Sequence, residues 1–294
     1  MVKELAELGF GHVELSHGIR VSLVPGILEA VEEGLIRVSS VHNFCPLPSG
    51  VQHAAPNFYQ PSSPSAGERN LWVNYSLKTL EFATTVGARH VIMHSGSAFF
   101  FLGNPLKKLE ALREQEGEAA SDPVISDPAY EAALKKVLKR IGKKESKTGP
   151  RITEAYQAVV AAAREKGLLL CIENREDLLE FPTDDRIPQF VEALGETDVV
   201  RYWHDSGHAQ IKQLQGVKAQ EAYLAENADR LAGFHLHDVS VDGRDHRPLG
   251  TGVIEWAKLR EFMKPEHLYI LELNPRVRRE DVLASKAFLE DLLG

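Results

Sequence analysis

The sequence is poor in cysteine and has no long apolar run, and both shortages limit what the protein can be. Only two of its 294 residues are cysteines, Cys45 and Cys171, which is too few for a disulfide framework and favours a reducing compartment. No apolar run approaches the roughly 18 residues that span a bilayer, and no signal peptide opens the sequence. We therefore expect a cytoplasmic protein with no membrane partner.

Positive charge is also in short supply. The chain has 34 Lys and Arg against 42 Asp and Glu, so its formal net charge is −8. This balance gives no general attraction for nucleic-acid phosphates, although a local basic patch could still bind them. Hydrophobic residues make up 43% of the chain and charged residues 26%, which is typical of a globular protein with a sizeable core.

Short apolar segments alternate with amphipathic helical patterns along the chain. Seven segments have the β-branched and aromatic content of buried strands and are bounded by Gly, Asn, Asp or Pro. They are residues 11–16, 36–43, 89–96, 168–174, 199–207, 231–238 and 268–275. This alternation predicts a parallel sheet built from right-handed βαβ units.

The polar residues that end these segments distinguish between the two common parallel architectures. Four of the six gaps between them are 28 to 37 residues long, and a (β/α)8 barrel needs about 30 residues per unit. An open doubly wound sheet would instead gather its site at one switch point. The sequence therefore predicts an α/β protein with a single TIM-barrel domain over residues 1–294. The strand-end residues are Glu14, His42, His94, Glu173, Asp205, His235 and Glu272.

Two features depart from an ideal barrel. The chain opens in a helical pattern over residues 1–10, so we expect seven strands, with the first strand of the barrel missing. Either Met1 is too late a start or another segment fills the gap. A helical insertion is predicted at about 103–150, after the strand at 90–95, with a loop over 104–128. Its basic stripe is either a solvated helix face or an anion-binding lid for a phosphate group or nucleic acid. The stripe consists of Lys135, Lys136, Lys139, Arg140, Lys143, Lys144 and Lys147.

The strand ends carry the residues best suited to chemistry. In a barrel the carboxyl ends of parallel strands meet at one mouth, and here every strand-end residue is a carboxylate or an imidazole. These side chains are ligands for divalent metals, and burying several carboxylates without a cation would be costly. Glu14 could equally be a structural acceptor. We interpret the remaining histidines without a motif as structural: His12, His17, His53, His90 and His267.

Several motifs resemble those of the xylose isomerase-like barrel superfamily, which contains sugar isomerases and epimerases and the endonuclease IV-type AP endonucleases. The motifs are IEN at 172–174, HDSGHA at 204–209, HLHD at 235–238, RDHRPLGTG at 244–252 and ELN at 272–274. The resemblance covers about residues 1 to 294 apart from the insertion. It implies one divalent metal, with Mn2+ or Zn2+ favoured and Mg2+, Co2+ and Ni2+ as further candidates. The implied ligands are Glu173, Asp205, His235 and Glu272.

The resemblance favours a sugar or sugar-phosphate isomerase or epimerase. In that branch Glu173 and Glu272 also move protons, and the metal acidifies the C–H beside a carbonyl and stabilises the enediolate. A non-catalytic binding module is disfavoured because both glutamates are present. The implied partner is a small sugar or sugar phosphate; the sequence names neither the sugar nor the oligomeric state, and leaves a homo-oligomer open.

The alternative is a zinc-dependent AP endonuclease or phosphodiesterase, the only interpretation with a nucleic-acid partner. Four histidines resemble ligands of the additional zinc ions in that branch, whereas in the sugar branch they would contact substrate hydroxyls. They are His42, His94, His208 and His246. The D-x-H pattern of the third zinc site is not matched, because Asp245 is directly beside His246 and Arg244 stands at the expected position. We therefore expect one tight metal per chain and at most two.

Overall fold

The computed structural model describes residues 2–101, 103–116, 127–195 and 198–294, with only the backbone described at 114–116. Within these ranges it contains seven strands, each inside one of the predicted segments, so the predicted strand number is confirmed. The strands are β1 (His12–Leu15), β2 (Arg37–His42), β3 (His90–Met93), β4 (Leu169–Glu173), β5 (Val200–Asp205), β6 (Leu231–Leu236) and β7 (Leu268–Leu271).

The seven strands form one sheet in the order β1 to β7, so neighbours in the chain are neighbours in the sheet. The pairs from β1 to β5 and the pair β6–β7 are parallel. A parallel pair needs a crossover, which the intervening helices supply. The register aligns Ser40 with His90 and His90 with Leu169, and it aligns Glu173 with Trp203. Sequential parallel order confirms the predicted TIM-barrel class.

Ten helices accompany the strands in the described part of the chain. The first confirms the predicted helical start, and none has the length and apolar character to cross a membrane. The helices are α1 (Val2–Glu7), α2 (Val24–Glu32), α3 (Ala66–Thr85), α4 (Lys107–Glu116), α5 (Pro128–Lys166), α6 (Ile187–Ala193), α7 (Ser206–Leu214), α8 (Gln220–Asn227), α9 (Trp256–Arg260) and α10 (Arg279–Leu293).

The predicted insertion contains α4 and the first part of α5. The prediction of a loop over 104–128 is wrong for residues 107–116, which form α4. Residues 107–116 are helical because they lack Gly and Pro, are rich in strong helix formers, and bury Leu109. Residues 117–126 of that loop lie outside the described ranges. Helix α5 continues past residue 150 although Pro150 removes one backbone donor, so no break marks the predicted end of the insertion.

The chain divides into two compact units. The first comprises Met1–Gly96, Gly149–Glu173 and Ile187–Trp203, and the second comprises Ser97–Thr148, Asn174–Arg186 and His204–Gly294. In the first unit the sheet residues Val41, Val91 and Ile172 are completely buried. In the second unit Phe234 and Leu236 of β6 are equally buried. That the chain acts as a single domain stays a prediction.

Burial of one histidine generates a testable pH dependence. His90 begins β3, and burial lowers its pKa below the ordinary 6.5, although a backbone hydrogen bond at Ser39 opposes the shift. The unfolded chain therefore binds the proton more readily than the folded chain. This contribution to stability is present above pH 6.5 and is lost as the pH falls through the lowered pKa.

We expect His90→Gln to reduce the loss of thermal stability between pH 7.5 and pH 5, as measured by the unfolding midpoint at each pH. The matched control is His12→Gln, because His12 is an exposed histidine at the start of β1, in the same sheet and the same unit as His90. Equal acid sensitivity in His90→Gln and the unmodified chain would contradict the assignment.

Candidate metal centre

Two imidazoles and one carboxylate meet at the strand ends of the first unit. His42 ends β2, His94 directly follows β3, and Glu173 ends β4. Glu173 Oε2 lies 2.9 Å from His94 Nε2 and 3.8 Å from His42 Nε2, and all three residues are buried. Their ligand atoms lie within 4.8 Å of one another, close enough to share one metal ion. Three predicted site residues are therefore brought together here.

The orientation of His42 suits a metal ligand. Its Nδ1 lies 3.2 Å from the carbonyl oxygen of Asn43, which can only accept. The neutral ring therefore carries its proton on Nδ1 and presents the lone pair of Nε2 toward Glu173. A backbone carbonyl on the far nitrogen is the usual support of a metal-binding histidine. The ring of His17 packs edge-on against His42 at 4.7 Å, so this supposedly structural histidine borders the site.

Glu14 belongs to the first unit and accepts a hydrogen bond from Ser40 Oγ at 2.7 Å. Glu14 lies in β1 and Ser40 in the adjacent β2. The contact supports the interpretation of Glu14 as a structural acceptor that ties the two strands together.

Three predicted metal ligands surround one point in the second unit. Asp205 ends β5, His235 lies in β6 and Glu272 directly follows β7. His235 Nδ1 lies 3.0 Å from Glu272 Oε2 and 3.8 Å from Asp205 Oδ2. Asp205 and His235 are completely buried. Two carboxylates around one buried imidazole nitrogen form a donor set that a divalent cation would stabilise.

Glu173, the fourth predicted ligand, belongs to the first unit. The four-residue ligand set as a whole therefore stays a prediction.

Asp205 is held by the start of the helix that follows it. It is the N-cap of α7, and its Oδ1 accepts the backbone N–H of His208 at 2.7 Å. The Asn174 side chain accepts the backbone N–H of Asp205 at 2.8 Å and donates to its carbonyl at 2.9 Å. The carboxylate is thus positioned through both its side chain and its backbone.

His237 positions Asp205 from the other side, and the sequence did not assign it this role. Its Nδ1 accepts the backbone N–H of His246 at 2.8 Å, so the neutral ring carries its proton on Nε2. That Nε2 lies 3.0 Å from Asp205 Oδ1, to which it donates. Both ring nitrogens are therefore occupied, which makes His237 a support of Asp205 and a poor metal ligand.

His208 lies close to two carboxylates of the second unit. Its Nδ1 lies 3.1 Å from the carbonyl oxygen of Asn174, so Nε2 carries the lone pair. His208, Glu176 and Asp245 bring ligand atoms within 4.8 Å of one another. Partial desolvation raises the pKa of Glu176, and the neighbouring carboxylate of Asp245 raises it further. Asp245 therefore joins His208 although its spacing in the sequence does not match the family pattern.

His246 has the geometry of a residue fixed for function. Its backbone φ is +52°, in the left-handed region that non-glycine residues seldom adopt. Its ring stacks on His237 at 4.2 Å, with Nδ1 3.1 Å from Asp245 and Nε2 3.7 Å from Glu272. Burial opposes protonation, but the two carboxylates outweigh it and raise the pKa of His246 to about 11.

Asp238 supports the loop that carries His246. Its Oδ1 accepts from the backbone N–H groups of Val239 and Ile254, and its Oδ2 accepts from Trp256 Nε1 at 3.1 Å. A Cβ at Gly252 would lie 2.2 Å from the Val239 carbonyl oxygen, which explains glycine in the closing G-x-G. This last part of the motif is therefore structural.

The structure brings the predicted residues into two groups. His42, His94 and Glu173 meet in the first unit; Asp205, His208, His235, His246 and Glu272 lie in the second. His204 points away toward α8, as strand alternation predicts, and its Nε2 lies 3.1 Å from Gln220 Oε1. The sequence analysis missed four residues of the site: His17, Asn174, Glu176 and His237. For His237 a signal was available, because it lies two residues after His235 and alternate residues of an extended segment point to the same side.

A family model described as "Xylose isomerase-like TIM barrel" matches residues 2–292. The chain belongs to this family, which confirms the resemblance inferred from the motifs. No curated protein matches the chain.

Solved structures share the fold. A D-psicose 3-epimerase of Clostridium cellulolyticum with D-tagatose is 13% identical with a TM-score of 0.65, covering 99% of this chain and 92% of that one. The 3-keto-D-glucoside 4-epimerase of E. coli is also 13% identical, with a TM-score of 0.63 and coverages of 99% and 92%. A Thermus thermophilus protein soaked with ZnCl2 is 22% identical, with a TM-score of 0.59 and coverages of 98% and 91%.

The close packing of α7 against His237 generates a prediction. A Cβ at Gly207 would lie 1.9 Å from the His237 ring. We therefore expect Gly207→Ala to displace His237 from Asp205 and to lower the free energy of unfolding by about 1–3 kcal/mol, measured by urea denaturation.

Gly26→Ala is the matched control, since Gly26 also lies in a helix and has open space at its Cβ position. It should be neutral or slightly stabilising. If Gly207→Ala is no less stable than Gly26→Ala, the described contact does not hold Asp205.

Proposed function

We propose that the protein is a divalent-metal-dependent isomerase or epimerase of a sugar or sugar phosphate. The observation that carries the proposal is the convergence of Asp205 and Glu272 on one buried nitrogen of His235. The epimerases among the structural neighbours, named for D-psicose and 3-keto-D-glucoside, support a sugar as the substrate class.

In this proposal Glu173, Asp205, His235 and Glu272 hold the metal, with Mn2+ or Zn2+ as the favoured ion. The chemistry of the second-unit donors fits such an ion, because the Asp205 carboxylate and the His235 ring are completely buried and Asp205 is oriented by Asn174. Asn174 directly follows Glu173, so the segment that fixes Asp205 also carries the fourth ligand. A bound divalent ion would polarise a carbonyl and the neighbouring hydroxyl and acidify the C–H between them.

Glu173 and Glu272 would transfer the proton. One carboxylate removes it and the other returns it, on the opposite face for epimerisation or on the neighbouring carbon for isomerisation. Each has an imidazole close to a carboxylate oxygen: His94 lies 2.9 Å from Glu173, and His235 lies 3.0 Å from Glu272. The contact with His94 would keep Glu173 aimed while its proton content changes, whereas His235 Nδ1 would bind the metal beside Glu272.

His208 and His246 would bind the substrate hydroxyls. His208 has its lone pair on Nε2, as its contact with the Asn174 carbonyl requires, and so can accept from a hydroxyl. His246 is held as a donor by its neighbouring carboxylates. One acceptor and one donor would distinguish hydroxyl orientations on a sugar.

The first test of the proposal is proton exchange. Glu173→Gln and Glu272→Gln should each reduce metal-dependent exchange of the substrate C–H with D2O by about 10²–10⁴-fold, because glutamine cannot accept the proton. NMR on a panel of ketoses and their phosphates would measure the exchange. Glu81→Gln, an exposed change on α3, is the control. Normal exchange in either site variant would exclude its proton-transfer role.

The second test is metal content. Elemental analysis of the purified protein should find one tight divalent ion per chain, and a chelator should abolish exchange until metal is restored. His235→Gln should lose the ion, whereas His267→Gln should keep it, since His267 is a buried histidine of the same unit outside the predicted ligand set. Retention of metal by His235→Gln would show that the ion binds elsewhere.

A zinc-dependent AP endonuclease or phosphodiesterase is the second candidate. The group of His42, His94 and Glu173, with the His42 lone pair turned toward Glu173, adds two histidines to the four ligands proposed for the single metal. The chain then has six candidate ligands, whereas one tetrahedral zinc needs four. Three zinc equivalents per chain, together with nicking of abasic DNA that Glu173→Gln abolishes, would replace the sugar assignment with this one.

A further inference from the structure

We propose that the basic face of α5 and the neighbouring phenylalanines form a binding surface for single-stranded nucleic acid that shares no residue with the candidate metal centre. The surface comprises the seven basic residues of the predicted stripe, together with Phe99, Phe100 and Phe101. All of these residues belong to the second unit.

The basic residues occupy one continuous half of the helix. Their spacing alternates between one and three residues, which places them over about 180° of the helix surface and about 18 Å of its length. Lys144 is half-buried and the other six are exposed. The opposite half packs into the unit, with Val137 and Ile141 buried. The charge is thus concentrated on a face that is available to a partner.

This concentration of charge is unfavourable for the helix itself. The stripe contains five like-charged pairs at a spacing of four residues, and each such pair destabilises a helix. Within the described residues, none of its seven members has an ion pair with a carboxylate. The one acid inside the stripe, Glu145, is buried and accepts from the Thr183 backbone N–H and side-chain hydroxyl. An anionic partner would relieve the repulsion that the helix does not relieve internally.

Aromatic rings extend the surface. Arg140 lies over the Phe100 ring with its guanidinium carbon 4.8 Å from the centroid, and Lys144 Nζ lies 5.8 Å from it. The flanking Phe99 and Phe101 are 63% and 88% exposed. Their segment is anchored by the backbone N–H of Ala98, which donates to the Leu179 carbonyl at 2.7 Å. Two exposed rings therefore flank, in the sequence, the Phe100 ring that lies against Arg140 and Lys144.

Cations beside exposed rings match the chemistry of single-stranded nucleic acid. The phosphates would pair with the basic stripe, and unpaired bases would stack on Phe99 and Phe101. A duplex would use the cations but leave the rings without partners. A membrane is disfavoured, because an interfacial helix needs a free apolar face and the apolar face of α5 is already packed inside the protein.

The test measures binding of the full-length protein to a fluorescein-labelled 15-residue oligo(dT) by anisotropy over a range of NaCl concentrations. We expect Lys139→Gln, Arg140→Gln and Lys143→Gln combined to weaken binding at least tenfold at 50 mM salt. The slope of log affinity against log salt should fall by about two, since each phosphate contact contributes about 0.7 on a single strand. The control combines Lys3→Gln, Arg37→Gln and Arg89→Gln, three exposed cations of the first unit with the same total charge change.

Phe99→Ala with Phe101→Ala tests the rings. This variant should bind oligo(dT) at least threefold more weakly with an unchanged salt slope, and should bind a duplex as the unmodified protein does. Equal affinity of the stripe and control variants for oligo(dT) would overturn the proposal. So would binding to phosphatidylserine vesicles in flotation without binding to oligo(dT). None of these measurements depends on sugar turnover, so the proposal can fail or hold independently of the proposed activity.

Discussion

The site of the second unit depends on the hydrogen bonds that hold the buried carboxylate of Asp205. Asp205 ends a strand, begins a helix and faces three histidines, and it is completely buried. A charge in that position is tolerable only if every approach to it is occupied by a donor or a cation. The N–H of His208 and the ring of His237 supply the donors. The other carboxylate oxygen, Oδ2, faces Nδ1 of His235, where the proposed metal would bind.

The same requirement explains the surroundings of Asp205. The N–H of His246 donates to His237 Nδ1 and so favours the tautomer in which Nε2 donates to Asp205, which makes the left-handed backbone of His246 part of the support. The loop that carries His246 is held in turn by Asp238, whose carboxylate accepts from the backbone of Val239 and Ile254. A chain of hydrogen bonds therefore connects the closing G-x-G loop to the position of one carboxylate. Such networks are rigid because each member is costly to leave unpaired.

The histidines of the site fall into two classes according to the hydrogen-bond partner of Nδ1. Where a backbone carbonyl takes Nδ1, as at His42 and His208, the lone pair lies on Nε2 and the ring suits a metal or a hydroxyl. Where a backbone N–H takes Nδ1, as at His237, the ring becomes a donor and supports a carboxylate. The residue is a histidine in each case, and the neighbouring backbone group decides whether it acts as an acceptor or as a donor.

The sequence by itself determined the order of the elements and the strand-end positions of the site. Buried strands and amphipathic helices leave periodic patterns that depend on local geometry alone, so the seven strands and the opening helix could be predicted. Motif spacing was sufficient to predict that Asp205, His235 and Glu272 lie close together, because each sits at or next to the end of a strand. Only the tertiary structure decided the tautomer of His237, the proximity of Glu176 to Asp245, and the approach of His17 to His42. These contacts join residues from different loops and strands, and no local pattern records which backbone group a folded chain brings to a given ring nitrogen.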